Sequence, residues 1–245
     1  NAHQRQNQST ETIGNWLNSI IGSPPTGSSN LQTGGSQSYV TVASCPQGYS
    51  LRADGDCKNS AGDVVPATAS YVPRGGAITG GTLSQTTLQG QVAGTTKYSA
   101  ELQNICNQEG LSNCSLARAI MAIESGGKAR CSNANACGIM QVIPSTARYL
   151  DPSLRNLTNQ QIRARLNSDN TLSMQLGVRY IRQMNDQFNG DLALVVAAYN
   201  GGPKANNASV SCPGQRQWQC SVNDGYAETR KYVPNVINTM NILTQ

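Results

Sequence analysis

Histidine is almost missing from this 245-residue chain: His3, in a polar tail, is the single copy, and Phe188 is the single phenylalanine. Zinc amidases and metallopeptidases need imidazole ligands, and cysteine peptidases need a Cys–His pair. One tail histidine supplies neither, so no metal and no cofactor are expected. Charged residues are also scarce, at 13%. No apolar run approaches the roughly 18–20 residues that cross a bilayer, so no transmembrane segment is expected. Glycine patterns of the nucleotide-binding kind do not occur. The chain begins at Asn1 rather than Met and shows no signal-peptide pattern, which reads as an exported form whose leader has been removed, or as a trimmed piece.

What is present in quantity is cysteine. Cys45/Cys57, Cys106/Cys114, Cys131/Cys137 and Cys212/Cys220 are neighbours in sequence, with no Cys-x-x-Cys spacing. Eight cysteines allow about 105 pairings, and sequence proximity favours the four local bridges over the others. Disulfides point to an oxidising compartment such as a bacterial periplasm or the exterior.

The composition changes along the chain. Ile13, Trp16, Leu17, Ile20 and Ile21 recur at helical spacing within residues 1–38, giving a short amphipathic helix before a Pro/Gly/Ser linker. Such a helix is too short to hold alone in water; it docks on this chain, on a partner or on a membrane surface. Residues 39–73 show strand character at Tyr39–Val42, Val64–Val65 and Tyr71–Val72, around the Cys45/Cys57 pair. Residues 74–97 return to Gly, Thr and Gln and read as a second linker. From residue 98 to 245 the pattern is helical, with segments near 99–109, 115–125, 144–149, 158–167, 169–188, 191–199 and 225–242. Asp169 and Asp191 are natural N-caps. Leu192–Ala198 is apolar all round, and the Asp191 cap and the Tyr-Asn-Gly-Gly stop favour a buried helix over a strand. The expected class is mainly α.

Glu124 is the candidate acid. Leu116, Ala119, Ile120 and Ile123 form a core-facing stripe, and Gly126-Gly127 then stops the helix beside that carboxyl. The negative end of the helix dipole and apolar surroundings both disfavour the charged form, which suits a general acid. No other acid of residues 98–245 (Asp151, Asp169, Asp186, Asp191, Asp224 and Glu228 among them) lies in a motif that would set it opposite Glu124. Each reads as a cap, a turn or a polar face.

Four segments in order, Glu124-Ser125, Gly138-Ile139-Met140-Gln141, Ala197-Ala198-Tyr199-Asn200 and Glu228-Thr229-Arg230-Lys231-Tyr232-Val233, resemble those of the soluble lytic transglycosylase family, relatives of goose-type lysozyme. The resemblance implies a lysozyme-like all-α catalytic domain over 98–245, behind a low-complexity N-terminal region with its small disulfide-stapled segment. It implies cleavage of the MurNAc–GlcNAc bond of peptidoglycan, with formation of a 1,6-anhydro ring and Glu124 acting as both acid and base. Ser125 would orient the site or touch an N-acetyl group. Gly138 would allow close backbone approach, Ile139 and Met140 would contact sugar, and Gln141 would hydrogen-bond the glycan. Tyr199 would bond the catalytic carboxyl, Asn200 completes that motif, and Tyr232 would close the cleft. After Gly127 the family's familiar Asn-Pro turn is replaced by Lys128-Ala129-Arg130-Cys131. A Cys131–Cys137 bridge would staple the loop after the acid. A Cys212–Cys220 bridge, with Trp218 inside it, would shape a loop over the far end of the cleft.

Peptidoglycan strands are thus the expected partner. Residues 98–245 carry thirteen Lys/Arg against nine Asp/Glu; that mild excess suits an anionic wall polymer and is too scattered for nucleic acid. The setting expected is the periplasm or cell envelope, with a secretion, conjugation or pilus apparatus as a partner of the N-terminal region. Two other readings stand beside it: a goose-type-lysozyme-like hydrolase, and an inactive binding or assembly subunit, phage entry proteins included.

Overall fold

In a computed structural model of the chain, the described residues are 39–45, 47–51, 56–66, 68–73 and 83–244. The amphipathic helix and first linker expected within 1–38 lie outside them.

Residues 39–73 form two small antiparallel sheets. β1 (Tyr39–Ser44) pairs with β5 (Thr68–Pro73), from Tyr39 opposite Pro73 to Ser44 opposite Thr68. Between them β2 (Tyr49–Leu51), β3 (Asp56–Asn59) and β4 (Val64–Pro66) make a meander. The β3–β4 turn is closed by Asn59 and Asp63, which exchange side-chain and backbone hydrogen bonds at 2.7 and 2.8 Å. Cys57 is buried and bridged to Cys45, a covalent tie that supports a segment this small.

Eight helices follow: α1 (Gln85–Thr95), α2 (Ser99–Glu109), α3 (Cys114–Ser125), α4 (Pro144–Leu150), α5 (Asn159–Ser168), α6 (Asn170–Gln187), α7 (Leu192–Gly201) and α8 (Ala227–Leu243). Their starts obey local chemistry. Asn113, Asp169 and Asp191 each accept a first-turn N–H, and Thr158 with Gln161 forms a complete capping box. α7 buries Ala193 and the run Val195–Tyr199, so the all-round apolar stretch is a central helix. α3 packs against α1, α2, α6 and α8, which places the end of the acid-bearing helix deep in the bundle. β5 lies against α8.

One expectation is corrected. Within the supposed linker 74–97, residues 85–95 form α1, capped by Ser84 and packed on α3 and α8. Its composition shows little apolar patterning; it buries Leu88 and Thr95 and approaches α3 closely at Gly94. A Cβ on Gly94 would lie 2.2 Å from the Gly126 carbonyl oxygen, and one on Gly127 would lie 2.3 Å from that of Gly94. Glycine is what lets the two backbones touch.

All eight cysteines are bridged, each to its neighbour in sequence. Cys106–Cys114 joins the end of α2 to the start of α3. Cys131–Cys137 closes the loop after α3. Cys212–Cys220 ties the segment between α7 and α8. No helix of the described residues is long and apolar enough to cross a membrane.

Candidate active site

α3 delivers Glu124 to its own C-terminal turn, where Gly126 (φ 59°) and Gly127 (φ 73°) take left-handed conformations and turn the chain away. The carboxyl is half-buried and lines a cleft of about 550 Å³. One wall of that cleft is the loop carrying Arg130, Ser132, Asn133, Ala134 and Gln141. The other is α8, which presents Glu228, Lys231, Tyr232 and Asn235. The Tyr232 hydroxyl donates to Glu124 Oε1 at 2.9 Å, fixing the orientation of the carboxyl from across the cleft.

The remaining expected residues act behind this surface. Ser125 is buried; its hydroxyl donates to the Ile139 carbonyl at 2.7 Å and accepts from the Gly127 N–H at 3.1 Å. It orients the site by tying the end of α3 to the Gly138–Gln141 segment. Ile139 and Met140 are fully buried, so the sugar contact expected of them gives way to core packing. Met140 lies on Gly177 of α6, where an added Cβ would meet Met140 Cε at 2.6 Å. Gly138 (φ 81°) does allow close approach, but to the protein itself: a Cβ there would lie 2.4 Å from both the Leu166 carbonyl oxygen and Ser173 Oγ.

The loop expected over the far end of the cleft is corrected in the same sense. The Cys212–Cys220 bridge is present, but Cys220 and Trp218 are sealed from solvent, and neither lines this cleft. Trp218 is drawn into the hydrophobic core, because burying its large indole is worth more than leaving it on a loop. The Cys220 carbonyl accepts from Arg230 Nη1 of α8 at 2.6 Å, which fastens that end of the bridge to the helix. Cys220 is therefore a residue of the scaffold rather than of the ligand surface.

Gln141 reaches the cleft in an unusual backbone conformation, φ 50°. A non-glycine residue there costs of order 1 kcal/mol or more. Its side chain offsets the cost, since Nε2 donates to the carbonyls of Arg130 (2.7 Å) and Gly138 (2.8 Å). Both amide hydrogens are therefore spent on holding the loop, and Oε1 is the atom through which Gln141 can meet a ligand.

Tyr199 donates its hydroxyl proton to the Met140 carbonyl at 2.8 Å, where the sequence suggested the acid; the tyrosine that donates to Glu124 is Tyr232. Tyr199 thereby pins the motif from below. Asn200 braces α7 against α8, accepting from Thr229 Oγ1 at 2.7 Å and donating to Glu228 Oε1 at 3.3 Å.

The sequence also passed over Glu228. It belongs to an exposed, polar first turn of α8, which reads as a solvated face, yet the fold brings it into the same cleft as Glu124. Its spacing of one helical turn before Tyr232 was the available signal. Arg130, Lys231 and Asn235 were missed in the same way. Asn235 also accepts from the Leu83 N–H at 2.8 Å, linking the cleft to the residues just before α1. Nearby, burial raises the Tyr226 hydroxyl above its ordinary range. Among the described residues no group of three His, Cys, Asp or Glu could hold a metal.

The described residues thus set one tyrosine-oriented carboxyl, Glu124, in the cleft of a mainly helical domain. Residues 103–219 match the model of the Transglycosylase SLT domain. The membrane-bound lytic murein transglycosylase D of Escherichia coli (strain K12) is 31% identical over 117 residues, covering 46% of this chain and 24% of that protein. The protein of the same name from Escherichia coli O6:H1 gives the same values. A solved structure of an inactive mutant of the lytic transglycosylase Slt from Pseudomonas aeruginosa covers 58% of this chain and 23% of its own, at 27% identity and a TM-score of 0.45. The chain thus spans about a quarter of the length of the curated relatives it matches. Its segment 103–219 is similar to the catalytic segment named in lytic transglycosylases. The match contains Glu124, Gln141 and Tyr199, whereas α8, with Tyr232 and Glu228, lies beyond its end.

Proposed function

We propose that the chain is a peptidoglycan lytic transglycosylase whose catalytic unit comprises residues 98–245 together with α1. The observation that carries this reading is the carboxyl of Glu124, which lies within the matched segment and is held by Tyr232 in a cleft of about 550 Å³. Protonated Glu124 gives its proton to the glycosidic oxygen as the bond from MurNAc C1 breaks. The electron pair leaves with the GlcNAc oxygen. The MurNAc C6 hydroxyl then bonds to C1 and returns its proton to the Glu124 carboxylate. The enzyme ends as it began and no water is consumed. An internal nucleophile exploits proximity, and one acid–base residue suffices.

A hydrolytic reading has one observation in its favour, the second carboxyl of Glu228 in the same cleft. Glycosidases that use water pair an acid with a second carboxylate. Chromatography of the products formed from purified cell walls separates the two: anhydro-muropeptides support the transglycosylase, and reducing-end muropeptides support the hydrolase. Digestion at the wild-type rate by Glu124→Gln would remove Glu124 from either scheme, and an intact chain that releases nothing would favour a binding subunit.

Four disulfides fit an oxidising envelope compartment, as do relatives named for murein and the membrane. The N-terminal region, with the amphipathic pattern of residues 13–21, would dock the enzyme on an envelope-spanning secretion, conjugation or pilus apparatus. Removing residues 1–22 should then abolish recovery of crosslinked envelope partners and spare wall digestion; unchanged recovery disposes of that role.

A further inference from the structure

The cleft contains two cations as well as two acids. Arg130 stands on the loop wall and Lys231 on α8. Arg130 is anchored from several directions. Its backbone carbonyl accepts from the Gly138 N–H (3.0 Å) and Gln141 Nε2 (2.7 Å), and its Nη2 donates to the Glu124 carbonyl at 2.8 Å. That last bond places a positive charge at the negative end of the α3 dipole, a favourable position. It uses one donor and leaves the rest of the guanidinium fork, the geometry that matches a carboxylate. Lys231 is exposed one residue before the tyrosine that holds the acid. Among the described residues the ion pairs are Arg179–Glu109 and Arg182–Asp186, so neither cleft cation is spent on an internal pair.

The sugar rings of a peptidoglycan strand are neutral and need no cation for recognition. Its carboxylates sit on the stem peptides or, where these have been removed, on the muramic lactyl group. Such a carboxylate entering beside the exposed Glu228 would be repelled unless positive charge stood next to its path. We infer that Arg130 and Lys231 recognise a carboxylate of the strand and make the enzyme selective for charged glycan over its neutral counterpart. The inference rests on the transglycosylase reading and adds its specificity.

The test uses the full chain, with Lys231→Gln, Arg130→Gln and Arg130→Lys. The substrates are peptide-bearing strands, strands stripped by an amidase, and stripped strands whose lactyl carboxyls have been converted to amides. Lys231→Gln removes an exposed charge, so its folding is not at issue. Arg130→Lys keeps the charge if Arg130→Gln loosens the loop. Each charge-removing variant should raise KM about three- to tenfold more on the recognised strand than on the amidated strand. A loss confined to peptide-bearing strands assigns the carboxylate to the stem, and a loss confined to stripped strands assigns it to the lactyl group. Equal KM ratios on charged and amidated strands would overturn the inference while leaving the activity intact. A wild-type chain that cuts none of the three would fail earlier, at the activity itself.

Discussion

The two walls of the cleft are built on opposite principles. The α3–α8 side is held by burial: Ile120, Met121 and Ala122 of α3 and Val233, Val236 and Ile237 of α8 are sealed from solvent, and the acid and its tyrosine ride on that packing. The loop side has almost no apolar anchor between Lys128 and Asn135. It is held by the Cys131–Cys137 bridge, by the spent amide of Gln141 and by the Ser125 hydroxyl. Burial fixes atoms against one another to fractions of an ångström, which chemistry needs. Polar and covalent ties let a wall change its surface residues without disturbing the core. The catalytic side should therefore respond to substitution mainly in rate, and the loop side mainly in stability and substrate binding.

The largest effect should come from Glu124→Gln, a loss of about 10³-fold in kcat on purified cell walls, with an unchanged melting temperature. A variant that also melted early would show the acid to be part of the scaffold. Met140→Ala should lower unfolding free energy by about 2–5 kcal/mol in urea titration, since it empties a sealed site. If stability held and KM rose instead, Met140 would be meeting sugar after all. Replacing Cys131 and Cys137 together by serine should cost about 2 kcal/mol for a loop this short and raise KM more than it lowers kcat. The reverse split would erase the distinction between the walls. Tyr232→Phe should be the mildest, about a tenfold fall in kcat with stability nearly intact, because one neutral hydrogen bond is removed. A steady-state assay across pH would read that change directly.

Much of the helical body was legible because its signals are local. Caps at Asp169 and Asp191 and stripes in α3 and α6 announce themselves within a few residues. Strands β1, β4 and β5 were visible from their valines and tyrosines, whereas β2 and β3, beside the Cys45–Cys57 bridge, were not. α1 was not, since it carries no clear apolar pattern and the backbone it packs against, at Gly126 and Gly127, lies some 30 residues away in sequence. The site was legible in its motifs but not in its division of labour. Glu124 and Gln141 reach the cleft, while Ser125, Ile139, Met140 and Tyr199 hold them there from beneath. A motif reports that residues work together; only packing tells which of them face the ligand. The same holds for Cys220, whose bridge was visible from spacing while its burial was not. Glu228, Arg130 and Lys231 were hidden for the opposite reason, because an exposed polar residue on a helix or loop looks the same whether it lines a cleft or faces bulk water.

The contact between Gly94 and Gly127 carries a practical consequence for anyone dividing this molecule. Motif boundaries invite a cut near residue 98, yet such a fragment would discard the strand of backbone against which the turn after Glu124 is seated. The acid would remain in place by sequence while its support was gone, so an inert fragment would say nothing about the intact chain.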